Sequence, residues 1–188
     1  EMQELLGRGQ GRQALAAYER AAMEAEQRGA KPDALMAHGA TAFIAVRFGM
    51  SQKAIRAATR ALELGAELPP SPGVNQMLGT VYSIAGGAYR NAGDLAQARR
   101  MLEEGVARSQ GPRNPTGLNL RYSLAGILLA QGEHATALTR ATEVFQMAEA
   151  SLLAMPAQAP DRIRTAFRRH AALALVLIGR VHLQEGKL

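Results

Sequence analysis

Small and apolar side chains recur every three or four residues along nearly the whole chain. Over residues 82–106 they fall at Tyr82, Ala85, Gly86 and Tyr89, then at Leu95, Ala98, Leu102 and Val106. This spacing follows the turn of an α-helix rather than the alternation of a strand. The pattern breaks once, at Asn91-Ala92-Gly93-Asp94. Gly93 can take the left-handed conformation that stops a helix, and Asp94 can cap the next one. Two helices joined by so short a turn must fold back on each other as an antiparallel hairpin.

The same punctuation returns along the chain. A turn glycine followed five residues later by an alanine occurs at Gly9/Ala14, Gly49/Ala54, Gly93/Ala98 and Gly132/Ala137, so that the alanines lie 40, 44 and 39 residues apart. A further first helix is marked by Leu175-x2-Ile178-Gly179-x2-His182, with Gly186 at its end. Recurrence at a near-constant period is the mark of a solenoid, in which each helix pair buries its face against the next.

The individual elements follow from this frame. Residues 10–28 form the second helix of a first repeat, with Ala14, Tyr18 and Ala21 as its packing stripe. Pro32 starts the next helix, residues 33–48, which carries His38, Thr41, Ala42 and Ala45. Gly49 turns the chain, Ser51 caps, and residues 52–64 return with Ala54, Ala58 and Ala61. The stretch GAELPPSPG at 65–73 reads as a loop within the array, and QGPRNPTG at 110–117 as a second. A first helix over 118–130 and a second from His134 to about Leu153 follow. After the break at 155–160, Asp161 caps a last helix to about Glu185. That helix carries Ala172, Leu173, Leu175, Val176, Ile178 and Leu183, more than one narrow stripe. It calls for a cover: a missing second helix, a further repeat or a second copy of the chain.

Tyr82-x2-Ala85-Gly86-x2-Tyr89 followed by Ala98-x3-Leu102 resembles the tetratricopeptide repeat (TPR), whose pattern is W-x2-L-G-x2-Y and then A-x3-F. Its small residues let the paired helices approach closely, and its aromatic residues fill the groove around them. The resemblance implies an all-α, right-handed, TPR-like superhelical solenoid of antiparallel helix pairs. Four repeats and a fifth first helix would form one domain over residues 1–188. The repeat of about 40 residues exceeds the ~34 of the commonest form. Repeats of this length, rich in Ala, Leu, Arg and Gly, resemble the regulatory arrays of large bacterial ATP-dependent transcription activators, namely the maltose-regulon activator and its LuxR-type relatives. Nothing resembles the nucleotide-binding or DNA-binding parts of that family. The chain opens on Glu1 inside what reads as a helix end and stops just after a turn glycine, so a fragment of a longer, cytoplasmic protein is expected.

Composition narrows the function classes. The chain has 188 residues, 47% hydrophobic but only 4% aromatic, and no Cys, which excludes a disulfide framework and a thiolate metal site. Its longest apolar run, residues 171–179, falls far short of the ~20 residues of a membrane span. The net charge of +6 raises the question of nucleic acid. Most arginines, however, sit among acidic partners, as in Arg99-Arg100-Met101-Leu102-Glu103-Glu104, and only Arg162, Arg164, Arg168, Arg169 and His170 form a dense basic run. Direct nucleic-acid binding is therefore not the expected role.

Catalytic sets are absent from the sequence. It holds no Gly-x-x-x-x-Gly-Lys-Ser/Thr loop, no Gly-x-Ser-x-Gly elbow and no His-Glu-x-x-His. Gly86-Gly87 follows no strand and reads as helix packing. His38, His134, His170 and His182 fall in different repeats or at opposite ends of an element, so no metal is expected. No cofactor is implied, and the expectation is a protein that is not an enzyme.

What remains is a surface. In a TPR array the first helices line the concave groove, and their faces away from the packing stripe carry Phe43 and Arg47, Ser83, Arg90 and Asn91, Asn119 and Tyr122, then Arg180. The arginines suit a carboxylate or phosphate, the asparagines an extended backbone, and Phe43 and Tyr122 apolar anchors. The carboxylate clamp of chaperone-binding arrays is not reproduced, and Lys occurs only at Lys31, Lys53 and Lys187. The expected function is a ligand- or protein-binding regulatory module, taking a peptide, protein or small-molecule effector. The alternative is a structural self-association or adaptor module, a homo-oligomer through the last helix.

Overall fold

The computed structural model describes residues 10–109 and 114–186; Gly9 and part of the expected loop at 110–117 lie outside them. Among the described residues the structure is all-α, with no strand. Its helices are α1 (Gly11–Gln27), α2 (Lys31–Arg47), α3 (Ser51–Ala66), α4 (Pro72–Asn91), α5 (Leu95–Arg108), α6 (Pro115–Ala130), α7 (His134–Leu153) and α8 (Asp161–Gln184). Prolines stand in the first turns of α2, α4 and α6, where the missing N–H costs no helical bond. Ser71 and Asn114 cap α4 and α6 by accepting from the N–H groups of Val74 and Thr116 at 3.2 and 3.0 Å.

The tight turns share one construction. Gly29, Gly49, Gly93, Gly132 and Gly186 all have φ between 66° and 84°, a region that L side chains rarely adopt. At Gly49 the glycine N–H bonds the carbonyl of Val46, and the next N–H, of Met50, reaches back to Ala45. The same pair of bonds closes the turns at Gly29, Gly93 and Gly132. This closing motif satisfies the last carbonyls of one helix. The residue after the glycine already stands at the N-cap of the following helix, which explains the first of two corrections to the sequence reading. Met50, not Ser51, holds the cap position of α3, and Ser51 is its first helical residue. At α8 the cap position belongs to Pro160, whose extended backbone (φ −56°, ψ 134°) leads directly into Asp161. Neither Ser51 nor Asp161 serves as the cap residue expected.

The loops are also shorter than expected. Helix α3 runs through Gly65 to Ala66, and Gly117 lies inside α6. Gly65 is where α3 meets α4, because a Cβ there would overlap the Leu78 side chain.

The contacts cluster into two compact units, Glu1–Asp94 and Leu95–Leu188. In the first, α2 packs against α1, α3 and α4, and α3 also packs on α4. One cluster of its core joins Ala14, Leu15, Ile44, Ala45, Ala54 and Ala88, with Tyr18 and Ile55 against it. Ala14, Ala42, Ala45, Ala54, Ala58 and Ala61 are wholly buried. On α1 the stripe runs through Ala22 and Ala25, while Ala21 is exposed. The buried arc is centred between Ala14 and Leu15, which rotates Ala21 to its edge. In the second unit α6 packs on α5, α7 and α8, and α7 packs on α8. A cluster of Leu118, Val144, Ala148, Phe167, Ala171 and Ala174 holds α6, α7 and α8 together.

Charged side chains tie helices that the alanines bring close. The Glu26 carboxylate of α1 accepts from Arg60 of α3 and lies 2.6 Å from His38 Nε2 of α2. The Arg60 hydrogen bonds first, and then the His38 contact, pull the Glu26 pKa down from 4.5 to about 2. Lys53 reaches Glu19 at 2.7 Å, and in the second unit Arg99 pairs with Glu103 and Glu133.

Two predictions follow from this packing. Gly65→Ala should destabilise the protein by about 1–3 kcal/mol through overpacking against Leu78. Gly126→Ala, in a helix where a Cβ would meet nothing within 4 Å, should instead raise stability by about 0.5–1 kcal/mol. Thermal melts of the two variants check both signs. The second concerns pH. Because the folded pKa of Glu26 is depressed, its stabilisation is present above pH 4.5 and is lost as the pH falls from 4.5 towards 2. Glu26→Gln should flatten the melting temperature against pH over that window. An unchanged acid limb would show that the carboxylate network does not couple to folding.

Candidate binding groove

First helices α2 and α4 lie side by side in the first unit, and both are apolar on more than one face. Leu35, Ala42 and Ala45 of α2 turn inward, while Met36 and Phe43 stand 60% and 39% exposed. On α4 the buried Leu78, Val81 and Tyr82 are flanked by the half-buried Met77 and Ile84. Between the two helices lies a cavity of about 230 Å3, lined by Met36, Gly39, Phe43, Met77, Thr80 and Ile84 among others. No ionisable side chain lines it. The hydroxyl of Thr80 already donates to the Gln76 carbonyl at 3.1 Å. The groove therefore offers shape and apolar area, with no acid or base to move a proton.

At its edge the Arg47 guanidinium sits 5.8 Å from the centroid of the Phe43 ring, in cation–π range. Arg47 is exposed, and no carboxylate pairs with it among the described residues.

Of the residues the sequence placed on the groove face, the structure brings Phe43 and Arg47 together. Ser83 is half-buried on α4 next to Ile84, while Arg90 and Asn91 are exposed at the end of α4. In the second unit Asn119 is half-buried, Tyr122 packs against the cluster around Leu118 and Phe167, and Arg180 is exposed on α8. Met36, Met77 and Ile84 were missed. The signal was present: Met36, Ala40 and Phe43, and then Met77, Thr80 and Ile84, form a second stripe at helical spacing beside the buried one.

The basic run of α8 does not present one face. Arg162, Arg168 and Arg169 are exposed, and Arg164 donates to the carbonyls of Pro156 and Ala157 at 3.3 Å. His170 is buried, with its Nδ1 2.7 Å from the Ala166 carbonyl, and burial lowers its pKa. The Nδ1 of half-buried His182 meets no hydrogen-bond partner among the described residues. No three His, Asp or Glu side chains among the described residues gather as metal ligands. No described helix is long and apolar enough to cross a membrane.

No protein-family model matches the chain, and no curated protein matches it. Among solved structures, the chain is similar to the crystal structure of a kinesin-light-chain-like protein from Podospora anserina with nearly identical TPR-like repeats. The two share a TM-score of 0.68 at 19% sequence identity, over 95% of this chain and 84% of that one. At that identity the likeness speaks for the fold alone, and the fold is all-α and TPR-like.

Proposed function

We propose that the protein is a non-catalytic interaction module whose α2–α4 groove takes a peptide segment of a partner protein. The observation that carries this reading is the groove itself. Met36 and Phe43, large apolar side chains, stand exposed around a cavity with no ionisable lining. Exposed apolar area flanked by a free cation suits a segment with apolar anchors followed by an acidic residue that reaches Arg47. The TPR-like fold supports the reading, since helix pairs of this type present extended binding surfaces.

The finer reading keeps the family resemblance of the sequence. Repeats of about 40 residues, rich in Ala, Leu, Arg and Gly, support a sensor or interaction region of a bacterial transcription regulator of the maltose-activator and LuxR type, working in the cytoplasm. A second reading, self-association, is favoured by α8, where Leu175, Val176 and Leu183 are 52%, 60% and 67% exposed.

The test is selection from a display library of random peptides, followed by titration of the selected peptides. They should share an apolar anchor and an acidic residue. Burying a Phe- or Met-sized side chain contributes about 1.5–3 kcal/mol, so Met36→Ala combined with Phe43→Ala should weaken binding by about tenfold or more. Arg47→Gln should cost less, on the order of 0.2–1 kcal/mol, the range of an exposed ion pair. Melting temperatures should fall only modestly, because Met36 and Arg47 stand exposed and Phe43 is 39% so. An empty selection, or peptides that bind the double variant as well as the parent, would overturn the groove reading. Sedimentation of the same protein separates the second reading: a monomer at micromolar concentration removes the support for self-association.

A further inference from the structure

Each unit also carries a cavity on its second-helix side, and the two cavities are built on equivalent positions. Superimposing the sequence at the turn glycines Gly49 and Gly132 places His38 of α2 on Arg121 of α6, Glu26 of α1 on Ser109 after α5, and Arg60 of α3 on Glu143 of α7. The side chains meet in the same way. His38 Nε2 lies 2.6 Å from Glu26 Oε1, and Arg121 Nη1 donates to Ser109 Oγ at 3.1 Å. In the first unit the circuit is closed, because the Glu26 carboxylate takes both His38 and Arg60.

In the second unit the circuit is open. The carboxylate position is now the Ser109 hydroxyl, and the ring of His38 is replaced by a permanent cation. The other hydrogen bond of Arg121 goes to the Gly117 carbonyl at 3.1 Å, again a neutral group. No carboxylate hydrogen-bonds Arg121 among the described residues. The acids that line the cavity are already engaged: Glu143 accepts from Arg140 at 2.9 Å and Glu103 from Arg99 at 2.8 Å. Three arginines and two glutamates line about 250 Å3 of space, and Glu133 holds Arg99 as well, so that Arg121 is the arginine of the three left without a carboxylate hydrogen bond among the described residues. Burial lowers the Arg121 pKa, with Glu143 opposing and Arg140 adding to the shift. Gly117 leaves room for the Arg121–Ser109 contact, since a Cβ there would come within 3.1 Å of Arg121 Nη1 and 3.2 Å of Ser109 Oγ.

A half-buried guanidinium with only neutral partners retains unused donors in a planar fork. Buried Leu124 and Leu128 line the same cavity and reduce competition from water. We propose that this cavity of the second unit binds a compact oxyanion, the carboxylate or phosphate group of a small ligand, anchored on Arg121. The oxyanion supplies to Arg121 the negative charge that Glu26 supplies to His38 in the first unit. Binding closes the same circuit from outside the chain, through charge-assisted bonds that can be bidentate.

The test uses inorganic phosphate and succinate as probes, followed by calorimetry and thermal melting against sodium chloride of equal ionic strength. At least one probe should bind the parent and raise its melting temperature. Response to phosphate alone identifies a phosphate ligand, and response to succinate alone a carboxylate; response to both shows that charge rather than shape selects. Arg121→Gln should weaken binding about ten- to hundredfold, the range of a charged hydrogen bond. Ser109→Glu restores the carboxylate of the first unit. It should melt higher than the parent without ligand and lose its response to either probe. If neither probe exceeds the chloride control, or if either variant binds as the parent does, the proposal is wrong.

Discussion

The structure depends on how closely its helices approach each other, and alanine sets that distance. Ala14, Ala42, Ala45, Ala54, Ala58 and Ala61 are wholly buried in the first unit, and Ala137, Ala141, Ala148 and Ala174 in the second. A methyl group at the contact lets the backbones come near, so that few aromatic residues are needed to fill the space between them. The same closeness demands a tight reversal between helices. The left-handed glycines supply it, and their closing hydrogen bonds leave no room for a separate capping residue at α3. Side-chain ties such as Glu26 to Arg60 then form across helices whose spacing is already fixed.

That economy leaves the larger side chains for the surface. Met36 and Phe43 stand out from α2 because Leu35, Ala42 and Ala45 already meet the packing on its inner face. The apolar groove against α4 is thus a consequence of a helix that is apolar on two sides. The charged cavities have a different origin. They form where a first helix is the floor between two second helices, and their chemistry changes with single residues while the backbone plan is kept. Glu26 against Ser109, and His38 against Arg121, turn a closed ion network into an open cation.

Much of the fold was legible because glycine and alanine positions are steric facts. Gly49, Gly93 and Gly132 were read as turns and have positive φ, and Ala54, Ala98 and Ala137 were read as contacts and are buried. Cap residues were less legible, since Ser51 and Asp161 look like caps in sequence yet lie one residue inside their helices. At Ser51 that depends on how the Gly49 turn closes, and at Asp161 on the extended backbone of Pro160. Gly65 and Gly117 were read as loop residues, because a sequence does not distinguish a glycine that breaks a helix from one that makes room for Leu78 or Arg121. The groove was half legible. Phe43, named from the sequence, lines the α2–α4 cavity with Arg47 beside its ring, whereas Met77 and Ile84 become neighbours of Met36 only through the packing of α2 on α4. Tyr122 was placed on an open face, and in the structure it packs against the core around Phe167.

The most direct test of the close-approach claim is the melting temperature of Ala58→Leu against that of Ala21→Leu. Both add the same atoms to a helix, one at a wholly buried contact and the other on an exposed face. The account predicts that Ala58→Leu destabilises the protein by about 1–3 kcal/mol or more, while Ala21→Leu stays within about 0.5 kcal/mol of the parent. An Ala58→Leu protein as stable as the parent, or an Ala21→Leu protein that is the more damaged of the two, would contradict it.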